Sequence, residues 1–349
     1  MFDITDYGAV YGSTVTYQQK TANVQALAGA RDDLVALGGG EILIDGKLYL
    51  NAPASFDDLG QCGIGLVGNG ELGSGIYYQS NTDITAFFNL QGTSFFQIRN
   101  LTISGGLHSE FGLYCCRNSA LASAGKHTFE NVRVINCTKA SYLNFGSEAS
   151  VHKGCHFQRS PIGAIITGYP LNEDVATPEE DPADWSEDWV WSTSHFFYGC
   201  SFGDADYASR CGLMVCGSTV YLFGGMIQAK SGDCEAYAII DGTWQMASIQ
   251  GVHLDAGLAD YGFLIGQYAP ATTDHQTRLY LAGSHISINQ STGEAYIKAR
   301  NMNSSTIGPL SVSGPVPSAS AGFEIDTETC TNNVFTNCRY KTGDEIEIY

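Results

Sequence analysis

Apolar residues alternate with polar ones along this chain in short bursts, and each burst opens on a small or turn-forming residue. Asn100-Leu101-Thr102-Ile103, Asn131-Val132-Arg133-Val134, Gly154-Cys155-His156-Phe157 and Gly199-Cys200-Ser201-Phe202 share the pattern. So do Gly224-Gly225-Met226-Ile227, Gly251-Val252-His253-Leu254, Gly283-Ser284-His285-Ile286, Pro309-Leu310-Ser311-Val312 and Asn337-Cys338-Arg339-Tyr340. Their first residues are 31, 23, 45, 25, 27, 32, 26 and 28 positions apart. Apart from the 45, this is one period of about 27 residues, inside the range of roughly 20 to 50 that marks stacked repeats.

A second set of strand-like segments falls between copies of the first. It includes Gly112-Leu113-Tyr114-Cys115, Gly163-Ala164-Ile165-Ile166, Gly212-Leu213-Met214-Val215 and Tyr237-Ala238-Ile239-Ile240. Gly262-Phe263-Leu264-Ile265, Ala295-Tyr296-Ile297-Lys298 and Gly322-Phe323-Glu324-Ile325 continue it. Two or three short strands per period leave no room for a helix. The pattern predicts an all-β fold, a right-handed parallel β-helix whose coils stack about 4.8 Å apart with alternate residues filling the interior. A β-sandwich or propeller built of the same strands is the competing arrangement, and the near absence of Asn-Gly hairpin turns speaks against it.

Residues 1–50 are different. Val24, Ala26, Leu27, Ala30, Leu34 and Leu37 recur at helical spacing, which predicts an amphipathic helix over 21–37, ended by Gly38-Gly39-Gly40. Such a helix covers the open end of a strand stack, because terminal coils need a cap. The expected organisation is a cap over 1–50 and a β-helix over 51–349, with an inserted loop at 171–194 that accounts for the long step.

Asp6-Tyr7-Gly8-Ala9, the helix, Gly38-Gly39-Gly40-Glu41-Ile42 and Gly46-Lys47-Leu48-Tyr49 follow one another in an order that resembles the entry segment of the pectate-lyase-like β-helix superfamily. The Gly-Asp-Gly and Asp-Asp-Thr that usually follow the first motif are replaced by Tyr11-Gly12-Ser13 and Gln18-Gln19-Lys20-Thr21. With its acidic charge and Gly-rich solenoid, the chain resembles bacteriophage tailspikes. That resemblance implies a homotrimeric virion protein, folded in the host cytoplasm, that meets other phage tail proteins and cleaves bacterial surface polysaccharide. Ile165, Met214, Ile239 and Leu264 are read as an outward apolar strip suited to contacts between copies.

Charge narrows the partners. Lys and Arg number 17 against 36 Asp and Glu, a net charge of -19, which speaks against nucleic acid and anionic membranes as partners. An anionic polysaccharide held at a local basic site stays compatible. No apolar run is long enough for a membrane span, and Met1-Phe2-Asp3-Ile4-Thr5-Asp6 carries no signal-peptide pattern. The 11 cysteines lack metal-type spacing and are expected as reduced thiols, with Cys155, Cys200 and Cys338 as inward filler. No cofactor or metal is expected.

Candidate chemistry centres on the insertion and the turns beside it. Trp185, Trp189 and Trp191 are candidate platforms for sugar rings, or anchors of the loop itself. Asp204, Asp206, Asp233, Glu235 and Asp255, with Asp241, fall near one another if consecutive coils stack. Carboxyls about 5–5.5 Å apart suit retaining glycoside hydrolysis and about 6.5–9.5 Å inverting hydrolysis. For each Asp the competing role is a turn residue that bonds its own backbone. His156, His253 and His285, with Arg133 and Arg339, form an outward column: a lyase base with its cations, or a hydrogen-bonded surface ladder. Arg159 and Tyr169 are a further candidate pair. The expected function is hydrolysis of O-antigen or capsule by paired carboxylates; the alternatives are a polysaccharide lyase of the same fold and a non-catalytic receptor-binding or structural β-helix.

Overall fold

The computed structural model describes residues 1–117, 125–168, 192–204, 206–208, 210–229, 234–242, 246–255, 259–267, 276–287, 295–313 and 322–340. The chain forms two compact units, residues 1–160 and 161–349. Each is a right-handed parallel β-helix, in which every strand pairs in parallel with its counterpart one coil away.

The first unit opens on a helix over Tyr17–Leu37. It starts earlier than the apolar spacing predicts, because cap chemistry sets the boundary. The Thr16 hydroxyl accepts from Gln19 N, and the Gln19 side chain accepts from Thr16 N in return. Gly38, left-handed at φ 79°, ends the helix as expected. Ala26, Leu27, Ala30 and Leu34 are buried, whereas Leu37 is exposed. A buried polar residue, Asn23, completes that face. Its Nδ2 donates to Val10 O (2.9 Å) and Tyr49 O (3.0 Å), and its Oδ1 accepts from Val10 N (2.7 Å). With both amide donors used, burial of this group costs little.

The residues that open the repeats turn out to be bends. Asn100, Asn131 and Gly154 sit at φ 56°, 51° and 58° between the two halves of each coil's first wall. Gly has no Cβ to clash there, and Asn tolerates the left-handed region better than other residues. Asn131 Nδ2 donates to Asn100 Oδ1 across the coils at 3.0 Å. On either side of the bend the register is strict: Ile98 pairs with Phe129, Leu101 with Val132 and Ile103 with Val134. Inside, the buried rings Phe129, Tyr142 and Phe157 meet, with Tyr142 and Phe157 stacked at 5.1 Å.

The second unit repeats this plan mostly with glycine: Gly199, Gly224, Gly251 and Gly283 lie at φ 61°, 65°, 66° and 61°, and Asn337 at 50°. Phe197, Leu222, Ile249, Leu281 and Ile307 line up through five coils as one inward column, and each is at most 1% exposed. Burying one such side chain contributes about 1.5–3 kcal/mol. On the third strand of each coil, Ile165, Met214, Ile239 and Leu264 share a register column, as the spacing implies. They are not an open strip, however. All four are buried within the single chain, so both faces of this part of the sheet are covered.

All cysteines are free thiols, and all but Cys330 are buried. Burial pushes the Cys116 and Cys137 thiols up to about 12, because the thiolate would lose its hydration. Native protein is therefore expected to react slowly with a disulfide thiol reagent at neutral pH, Cys330 first, with the rest released on unfolding; a timed colorimetric titration checks this. Among the described residues no helix is long and apolar enough to cross a membrane.

Candidate functional site

The third strands of the last coils of the second unit are Ala259–Ile265, Ala295–Ala299 and Phe323–Ile325. Their register sets Leu264, Lys298 and Glu324 in one column. The column that is apolar on earlier coils thus turns charged at its end. Lys298 Nζ lies 3.6 Å from Glu324 Oε2, donates to Tyr261 Oη at 3.1 Å, and sits 4.9 Å from the centre of that ring.

Just past the strand ends, Arg300 Nε donates to Gly266 O at 3.2 Å, and Asp326 N donates to Ala299 O at 2.9 Å. Gln267 Nε2 donates to Ile265 O at 3.0 Å. Gln267, Lys298, Arg300, Glu324 and Asp326 line a groove of about 390 Å³. A hydrogen bond from the Thr329 side chain, then one from Glu328 N, holds the Asp326 carboxyl below its ordinary value of 3.8. Asp326 therefore stays ionised through the neutral range. Glu324 lies in the strand and Asp326 directly follows its last residue, Ile325, so both carboxylates line the same groove.

The residues expected from the sequence fall as follows. Asp204 is half-buried, and its Oδ1 accepts from Asp206 N at 2.9 Å while its carbonyl accepts from Ala208 N at 3.0 Å. This is a turn held by its own side chain. Asp206 is exposed in that turn. Asp204→Ala is accordingly expected to lower stability by about 1 kcal/mol, as thermal unfolding would show. Asp241 is fully buried.

Glu235 pairs with Arg210 at 3.5 Å, both side chains partly exposed. An acid that the sequence reading passed over joins it: Asp260 stands one coil on, between the paired positions Cys234↔Ala259 and Ala236↔Tyr261. Asp255 ends a strand opposite Gln228; its side chain, with Asp233, Tyr169, Trp185, Trp189, Trp191 and most of the 171–194 insertion, lies outside the described residues. Arg159, in the first unit, is exposed at φ 55°, a turn position.

His253 and His285 do fall on adjacent coils, with ring centres 5.2 Å apart. His285 is held at both nitrogens, by Ser311 Oγ (2.7 Å) and Ser313 Oγ (3.0 Å), the arrangement of a surface ladder. His156 pairs in register with Arg133 in the first unit. Among the described residues no three His, Cys, Asp or Glu side chains converge as a metal-binding set.

Comparison with known proteins places the fold. No protein-family model matches the chain, and no curated protein matches it. Solved structures do. The enzymatically active domain of bacteriophage CBA120 tailspike protein 2 superposes with a TM-score of 0.65 at 11% identity, over 94% of this chain and 46% of that one. Geobacillus virus E2 ORF18 gives 0.57 at 13%, over 97% and 61%. The A-module of the Azotobacter vinelandii mannuronan C-5 epimerase AlgE4 gives 0.56 at 14%, over 100% and 98%. At these identities the likeness is one of fold: the chain is a right-handed parallel β-helix, and it spans 46% and 61% of the two viral chains.

Proposed function

We propose that this chain is the polysaccharide-processing β-helix of a phage tailspike, and that it cleaves glycosidic bonds of an acidic bacterial surface polysaccharide in the groove of Lys298, Glu324 and Asp326. The observation that carries the reading is that groove: two carboxylates and two cations lining one cleft of a fold shared with tailspikes and a mannuronan epimerase. Asp326, whose Oδ1 accepts from Glu328 N, is assigned as the base that takes a proton from water through its remaining lone pairs. Glu324 delivers the proton to the departing sugar oxygen. Lys298 and Arg300 hold an acidic substituent, which the net charge of -19 would otherwise repel.

One contact favours a second reading. The Lys298–Tyr261 pair is the equipment of β-elimination, with the cation neutralising a uronate and the phenol moving the proton. The test is digestion of a panel of purified capsules and O-antigens, with mass analysis of the fragments. Fragments heavier by one water than the excised repeat support hydrolysis. An unsaturated, ultraviolet-absorbing end supports elimination. If every glycan keeps its length, the proposal fails. The homotrimer belongs to the same reading. The rings of exposed Tyr198 and half-buried Phe223, stacked at 5.4 Å, are aromatic surface for copies to bury.

A further inference from the structure

The first unit holds a cleft of about 600 Å³ that the reading above does not use. One wall is the first turn of the capping helix, with Tyr17 and Lys20; the other is formed by the segment Gln79-Ser80-Asn81 and by His108. Lys20 Nζ donates to Gln79 O at 3.3 Å, which aims the ammonium at the cleft and leaves it two more protons to donate. His108 Nδ1 lies 2.8 Å from Asp83 Oδ1, so the carboxylate fixes the ring and leaves Nε2 for a ligand.

The opposite wall is stiff. Tyr78 Oη donates to Thr82 O at 2.7 Å, and Thr82 N donates to Ser80 Oγ at 3.2 Å. Tyr17 stands at the mouth 72% exposed, a large flat ring set against nothing that accounts for it. The cleft therefore gathers one ammonium, one oriented imidazole, a row of short hydroxyl and amide groups, and one open aromatic face. Together these match the parts of one ligand class. A carboxylate fits Lys20, ring hydroxyls fit Ser80, Asn81 and the free imidazole nitrogen, and the apolar face of a pyranose fits Tyr17.

We infer that this cleft is a second saccharide site, which takes a hexuronate unit of the polysaccharide and holds the chain without cutting it. The inference rests on the proposed function for the identity of the polymer. Its physical effect is retention: a polymer held here stays bound to the protein through the first unit.

The test is a titration of the whole protein, isotope-labelled and followed by nuclear magnetic resonance, with sodium D-glucuronate, D-glucose and inorganic phosphate as separate probes. Glucuronate is expected to move the Tyr17 and His108 signals and to bind about tenfold tighter than glucose, the worth of one charge-assisted hydrogen bond. Lys20→Gln is expected to bring glucuronate down to the level of glucose. Tyr17→Ala, at a position too exposed to threaten folding, is expected to weaken both sugars. Absent shifts at Tyr17 and His108, phosphate binding as tight as glucuronate, or unaltered affinity in Lys20→Gln each overturn the site. Failure here with glycan cleavage intact leaves the groove reading standing, whereas glucuronate bound by a protein that cleaves no glycan removes the groove reading and keeps this site.

Discussion

Glu324→Gln is expected to lower the rate of polysaccharide cleavage by about 10²- to 10⁴-fold, the usual worth of a positioned proton donor. The amide keeps the shape of the side chain and its place opposite Lys298, but it has no proton of suitable acidity to give the leaving oxygen. Binding should survive, because Lys298, Arg300 and Gln267 keep their places in the groove. Stability should also survive. The lost partner is a Lys298–Glu324 contact of 3.6 Å between side chains 37% and 34% exposed, and such surface pairs contribute about 0–1 kcal/mol. Initial rates by reducing-end or ultraviolet assay, set beside retention on immobilised glycan and a thermal melt, separate these quantities. A variant that cuts at the wild-type rate removes Glu324 from the chemistry.

Phe129→Ala is expected to destabilise the first unit by about 3–5 kcal/mol, the range for emptying a buried phenylalanine site. Phe129 is fully buried, and its ring lies 5.2 Å from His152, 5.6 Å from His127 and 6.3 Å from Tyr142. Its backbone is pinned by parallel pairing to Ile98 on one side and His152 on the other. The wall therefore has little freedom to collapse into the hole. Stacked coils draw their stability from nearest neighbours, so the loss should appear as a lower denaturant midpoint for the unit and not as local fraying. Equilibrium unfolding in urea, followed by circular dichroism, gives the number.

The period was readable because one physical demand recurs on every coil. The chain must turn through the left-handed region, and only Asn or Gly does so cheaply, so Asn100, Asn131, Gly154, Gly199, Gly224, Gly251 and Gly283 mark the bends in plain text. The helix was legible as a helix but not at its start, since apolar spacing does not see a Thr16–Gln19 cap.

The groove was harder. Tyr261 and Lys298 touch across 37 positions of sequence, and coils of unequal length hide such neighbours until the register is known. A clue was present all the same. Ile165, Met214, Ile239 and Leu264 occupy a position where the last two copies carry Lys298 and Glu324. A column that turns from apolar to charged marks a change of surroundings. Asp204 and Asp326 are both turn aspartates, with an oxygen accepting from Asp206 N and Glu328 N respectively, so turn bonding alone does not separate the two. Asp260 was overlooked because its relation to Glu235 exists only across coils.

The most direct measurement is a crystal structure of the Glu324→Gln protein soaked with an oligosaccharide of the glycan it recognises. The groove account predicts sugar density running from Tyr261 to Asp326, with an acidic substituent against Lys298 and Arg300 and a glycosidic oxygen within hydrogen-bonding reach of residue 324. Sugar bound elsewhere on the chain, with Lys298, Glu324 and Asp326 facing solvent, would contradict it.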